Sequence, residues 1–243
     1  MTEDLAARWP LVEQAVLEVH MHFVEQYVEG RNWCPFARPS RQQGTTTVRI
    51  CPVGHVAPAS LDAWGPLHDW LTELADHATA EVLQVVFPLV SPAPRAWDTF
   101  AKSVVEQLHA ARGGRSVLAV AAFHPTLEVR FQTKAGIVPL LRRSPMPMIQ
   151  FVRLDALDRV REGRSSADRY VAPGSAAMLE LMQQPARESL GQSIMRRNHL
   201  QVTSEGFSQV ERDLVALADL AARRLLELGV TPEPWDPGRT YTP

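Results

Sequence analysis

His124 follows an apolar run directly, in Ala121-Ala122-Phe123-His124-Pro125. An imidazole there can ligate a metal or move a proton near neutral pH. The chain has eight histidines, and this one is favoured because ligand crevices in α/β sheets open where loops leave strand ends. Two more clusters fall at the ends of expected elements. One is Trp33-Cys34-Pro35-Phe36-Ala37-Arg38; the other is Arg142-Arg143-Ser144-Pro145-Met146-Pro147, leading into a strand. The prolines of the second cluster fix their own φ and bias their predecessors to extended backbone, so that loop should be stiff.

Other groups compete for a chemical role. His20 sits beside the stripe Val16, Phe23, Tyr27 of the first helix and reads either as a ligand or as a histidine at the edge of the core. Cys34 precedes proline, but a reactive thiolate needs nearby positive charge, and only Arg31 and Arg38 are close in sequence. A small buried hydrophobe packed with Trp33 and Phe36 is the competing expectation. Cys51 with His55 gives one Cys-x-x-x-His pair and no second pair to complete a metal site. Asp98, Glu128 and Gln150 could meet a cationic amine, and Arg130 competes with Arg142 for a carboxylate.

The elements that must position these residues alternate. Val12, Val16, Val19, Phe23 and Tyr27 mark one helix to about residue 29, with Pro10 expected in its first turn. Residues 45–53 read as a strand. Leu61, Trp64, Leu67, Leu71 and Leu74 mark a helix, and residues 82–90 a buried strand, which together make a β-α-β unit. Residues 91–97 read as a loop running into a helix that carries Trp97, Phe100, Val104 and Leu108 and closes at Gly113-Gly114. Residues 116–123 form another buried strand, and 147–154 the last. The remainder to about 228 reads as helical, and the stretch from Trp235 as a tail. The expected class is α/β (α+β): a small mixed β-sheet with packed helices, plus N- and C-terminal helices, in a single domain. Its parts are an N-terminal helix (1–30), a core (31–155), a helical C-terminal part (156–230) and a tail (231–243).

Composition narrows the function classes. The formal charge is −2 with dispersed basic residues, which argues against nucleic acid and against an anionic membrane surface. An acidic start without a basic and apolar leader, and no apolar run of roughly 20 residues, make a cytoplasmic location the expectation. Only two cysteines occur, neither a disulfide framework nor a four-ligand zinc set. Glycine-rich dinucleotide and phosphate loops, the Gly-x-Ser-x-Gly elbow, His-Glu-x-x-His and Cys-x-x-Cys-His are absent from the sequence. A small-molecule partner is expected, and a homodimer stays open.

Three motifs in this order, WCPFARP, AFHP and RRSPMPM, resemble a bacterial family of unknown function to which haem-dependent N-oxygenases of amino-acid side-chain amines are similar. The likeness spans about residues 30–155. It implies a non-covalently held haem b, with oxygen or peroxide chemistry on the nitrogen of an amine or amino acid. On that resemblance His124 is the proximal iron ligand, with His20 the alternative, and Arg142 and Arg143 hold the propionates. Guanidinium forks suit carboxylates. Arg38 is a weaker candidate for the same task, while Trp33 and Phe36 form pocket wall. Two alternatives stay open: a haem-sensing or haem-carrying protein without turnover, and a cofactor-free protein that binds a small metabolite.

Overall fold

Val12, Val16, Val19, His20 and Phe23 are buried on one side of the first helix, α1 (Glu3–Phe23), so the expected stripe is the face that packs. Pro10 lies inside this helix rather than in its first turn. Both Pro10 and Ala6, the residue whose carbonyl loses its donor, are exposed, so water can serve that carbonyl. A computed structural model describes residues 3–52, 65–76, 79–129, 135–162 and 190–235.

After Phe23 the helix widens into a π turn, Val24–Glu29, which the sequence pattern did not announce. Its hydrogen bonds reach five residues back: the N–H of Gly30 donates to Glu25 at 2.9 Å and that of Trp33 to Val28 at 2.8 Å. The turn swings Glu29 inward, where Arg41 of α2 (Ala37–Gln42) grips its carboxylate at 2.8 and 2.9 Å. That bidentate bond holds the Glu29 carboxyl below its ordinary pKa. Residues 31–43 thereby fasten α1 to the start of the sheet.

The β-α-β unit forms as expected: β1 (Thr46–Ile50), α3 (Pro66–Asp76) and β2 (Val82–Val86), with the two strands parallel. Leu67, Leu71 and Leu74 are buried; Leu61, Trp64 and His55 lie outside the described residues. The expected strand over 82–90 is shorter than its composition suggests. Pro88 cannot donate to a ladder, the chain turns, and Val90–Pro92 starts a separate strand, β3. Pro94 then occupies the first turn of α4 (Pro94–Ala111), so the expected loop over 91–97 is mostly strand and helix. Gly113 and Gly114 end α4 with φ of 70° and 81°, a conformation that glycine adopts without strain.

β4 (Leu118–Phe123) and β5 (Met148–Arg153) complete a mixed four-stranded sheet in the order β1-β2-β5-β4. β4 is an edge strand, and four of its six residues are half-buried rather than buried. Between β4 and β5 comes the short helix α5 (Val138–Leu141). Alternation along the strands sends Leu83, Val85, Ile149, Phe151, Leu118 and Ala122 into one core with α3 and α4. Ile50, Val86 and Met148 join the other core, with α1.

The C-terminal part is helical where described: α6 (Leu154–Glu162), α7 (Leu190–Glu205) and α8 (Phe207–Glu227), the last packed on α1. The expected tail starts too early. Glu233–Trp235 form β6, parallel to β3, and Trp235 is buried edge-on against Trp97 and Phe100 at 5.8 and 5.2 Å. A proline- and glycine-rich sequence hid an aromatic that has a core to enter. The class is α+β in one compact unit, and no described helix is long and apolar enough to cross a membrane.

Candidate functional site

A cleft of about 90 Å³ opens at the C-terminal end of β4. Pro94, Trp97 and Asp98 from the start of α4 form one side, Val138, Pro139 and Arg142 the other, with Ala122, His124 and Leu127 between them. Trp97 makes a firm floor because its indole N–H donates to the carbonyls of Phe123 at 3.0 Å and Met148 at 3.3 Å. The Arg142 side is tied to the strand end by the N–H of His124, which donates to the carbonyl of Arg142 at 3.0 Å.

The surroundings of His124 fix its protonation. Nε2 faces the Pro92 carbonyl at 2.9 Å, an acceptor only, so Nε2 carries the hydrogen and donates. Nδ1 accepts from the N–H of Thr126 at 3.2 Å and lies 3.3 Å from that residue's hydroxyl. The ring is 6% exposed, and burial pushes its pKa below the ordinary histidine value. His124 is therefore neutral near pH 7, with both nitrogens committed inside the protein.

The two adjacent arginines divide. Arg142 lines the cleft, and its guanidinium has no ion pair or hydrogen bond among the described residues. Arg143 turns away: its Nε donates to the Leu127 carbonyl at 3.0 Å and its Nη1 to Glu211 of α8 at 2.7 Å. It fixes the loop rather than facing the cleft. Asp98 is at the rim, but Lys102 holds it at 2.6 Å, so its charge is already balanced.

These positions do not fit a haem on His124. An iron there would have to displace either the Pro92 carbonyl from Nε2 or the Thr126 amide from Nδ1. The cavity is also far below the roughly 300–1,000 Å³ typical of sites for large ligands. His20 offers no better seat: it is 1% exposed in α1, and its Nε2 lies 2.9 Å from Oε1 of Gln84. Gln84 in turn donates to Gln150 at 3.0 Å, so Gln150 belongs to a polar line across the sheet and not to the cleft.

The WCPFARP cluster lies elsewhere too. Trp33 is buried beside Tyr27 at 6.4 Å, beneath Arg31, and its carbonyl accepts from Asn198 of α7 at 2.8 Å. Phe36 precedes α2, Arg38 lies 3.6 Å from Glu29, and none of the three lines the cleft. Cys34 is half-buried and Cys51 is buried in the α3–α4 core, as a small hydrophobe would be. Glu128 is exposed, and Arg130 lies outside the described residues. The spread has a simple cause: order along the chain says nothing about which end of the sheet a loop joins.

Sequence reasoning missed Pro94, Val138 and Pro139, and took Trp97 for core alone. The one signal for them was position, since each starts or forms a helix that follows directly on a strand end or loop.

No curated protein and no solved structure matches this chain. A family described as "Protein of unknown function (DUF1415)" matches residues 15–187, which include all three motifs and every wall of the cleft. The chain belongs to that family.

Proposed function

We propose that the protein is a cofactor-free binding protein that takes a carboxylate-bearing ligand in the cleft at the end of β4. The observation that carries this is Arg142, whose guanidinium has no partner among the described residues and faces an otherwise mostly apolar cleft. A permanently charged fork in such a place is completed by a carboxylate, which it can hold by two parallel hydrogen bonds. A ligand amine is less well served, because Asp98 is held by Lys102. Among the described residues no carboxylate orients the His124 ring, and its partners there are a backbone carbonyl, an amide and a hydroxyl. The cleft thus offers recognition rather than an obvious proton relay.

Haem-dependent N-oxygenation is the second reading, favoured by the motif resemblance and opposed by the committed nitrogens of His124. One set of measurements separates the two. Acetate and propionate titrated into the labelled protein should shift resonances around the cleft, and Arg142→Ala should weaken binding by roughly tenfold or more. Added haem should give no stoichiometric Soret band. A band that is lost in His124→Ala and retained in His20→Ala would overturn the cofactor-free proposal in favour of the haem reading.

A further inference from the structure

Among the described residues β4 pairs with a strand on one side only, and the hydrogen-bond pattern says which of its peptide groups face outward. On β5, the N–H of Arg153 donates to Glu81 on the β2 side at 2.9 Å, whereas that of Leu154 donates to Val117 on the β4 side at 3.0 Å. Antiparallel ladders alternate, so Val152, Gln150 and Met148 bond with Ala119, Ala121 and Phe123. The even-numbered residues of β4 then turn their N–H and C=O groups away from the sheet. The bond at the C-terminal end agrees with this, since the N–H of His124 turns outward to Arg142 at 3.0 Å, while at the other end Nε2 of His109 caps the N–H groups of both Val117 and Leu118 at 3.2 and 3.3 Å. Between these ends, the N–H and C=O groups of Val120 and Ala122 have no partner among the described residues.

Sheet edges are ordinarily blunted by charges, prolines or bulges. The segment LAVAAF carries neither a charge nor a proline, and its register with β5 runs unbroken over six pairs. Ala122 belongs to this edge and also lines the cleft, so the groups left without a partner among the described residues lead directly to the guanidinium of Arg142.

We infer that the carboxylate taken by this cleft is the C-terminus of an extended peptide, which adds to β4 as a further strand. This rests on the carboxylate reading of the cleft and narrows it. With the carboxylate at Arg142, at the C-terminal end of β4, the peptide runs parallel to β4. Its amides then meet Val120 and Ala122, as in other cases of strand addition to a sheet edge. The cavity of about 90 Å³ between Trp97 and Pro139 fits a small apolar terminal side chain.

The test uses the full-length ¹⁵N-labelled protein and four probes: acetate, an acetylated tetrapeptide ending in valine with a free carboxylate, the same peptide as its C-terminal amide, and the free acid N-methylated at the amide that would meet Val120. The free acid should bind at least tenfold more tightly than acetate and slow hydrogen exchange at the Val120 and Ala122 amides. Both the C-terminal amide and the N-methyl peptide should lose roughly tenfold or more, the latter without any change to the protein. In Arg142→Ala, acid and amide should bind alike. Equal binding of the N-methyl peptide overturns strand addition. Binding of acetate with no gain from the peptide overturns it while leaving the carboxylate reading intact, and binding of no probe overturns both. Protection of Val120 and Ala122 that grows with concentration of the free protein assigns the edge to a second copy instead, and also overturns the proposal.

Discussion

The N–H of His124 donates to the carbonyl of Arg142 at 3.0 Å, so the residue that ends one wall of the cleft is held by the residue that directly follows β4. The Arg142 side chain is thus presented on a fixed backbone while its guanidinium has no partner among the described residues. The neighbouring Arg143 completes the arrangement from outside, tying the same loop to Leu127 and to Glu211 of α8.

His124 should therefore matter for stability whether or not a ligand is present. His124→Ala removes a buried ring that bridges Pro92 and Thr126 and leaves the Pro92 carbonyl without its donor. A loss of about 1–3 kcal/mol is expected, read as a lower urea midpoint with an unchanged slope. An unaltered midpoint would show that these bonds contribute nothing net.

Much of the fold was legible in the chain, and the site only partly. The stripes of α1, α4 and α8 and the β-α-β unit follow from periodicity, which survives tertiary context because each helix has one face to bury. The π turn was not legible: a register change after Phe23 leaves the apolar spacing of Val24, Tyr27 and Val28 unremarkable. Nor could motif order show that Trp33 and Phe36 pack near α7 while His124 and Arg142 share a cleft beyond β4. The choice between Arg142 and Arg143 depends on Glu211, which lies 68 residues further along.

His20 should make the protein acid-sensitive. Burial lowers its pKa from 6.5 to about 4, against a smaller opposing effect of the Gln84 hydrogen bond. The unfolded chain takes up a proton below pH 6.5 that the folded chain refuses until about pH 4. Stability is thus complete above that window and falls as pH drops through it, by up to roughly 3 kcal/mol. Urea unfolding at pH 5 and pH 7.5 should show a smaller pH difference in His20→Leu than in the native chain. His124 and His109, also lowered by burial, act in the same direction and remain in both proteins.

Trp235 tests whether the C-terminal strand is part of the core. Its ring closes a cluster with Trp97 and Phe100, directly behind the cleft floor. Trp235→Ala should cost about 3–5 kcal/mol, and because Trp97 forms that floor, the variant should also weaken carboxylate binding. Thermal unfolding and the acetate titration measure the two effects separately.

Gly30 tests whether the π turn is required. Its φ of −62° suits any residue, so backbone conformation is not the reason for glycine here. The reason is close approach: a Cβ at this position would stand 2.5 Å from the Gln26 carbonyl oxygen and 3.0 Å from that of Glu25. Both obstacles are backbone and cannot rotate aside. Gly30→Ala should push the turn toward ordinary α-helical spacing, moving Glu29 off Arg41 and Trp33 off Asn198. The expected cost is about 1–3 kcal/mol in urea unfolding. Gly44→Ala is the control, since a Cβ there meets nothing within 4 Å and only its φ of +71° is strained. If Gly30→Ala is no worse than Gly44→Ala, the wide turn is incidental to the packing of the corner.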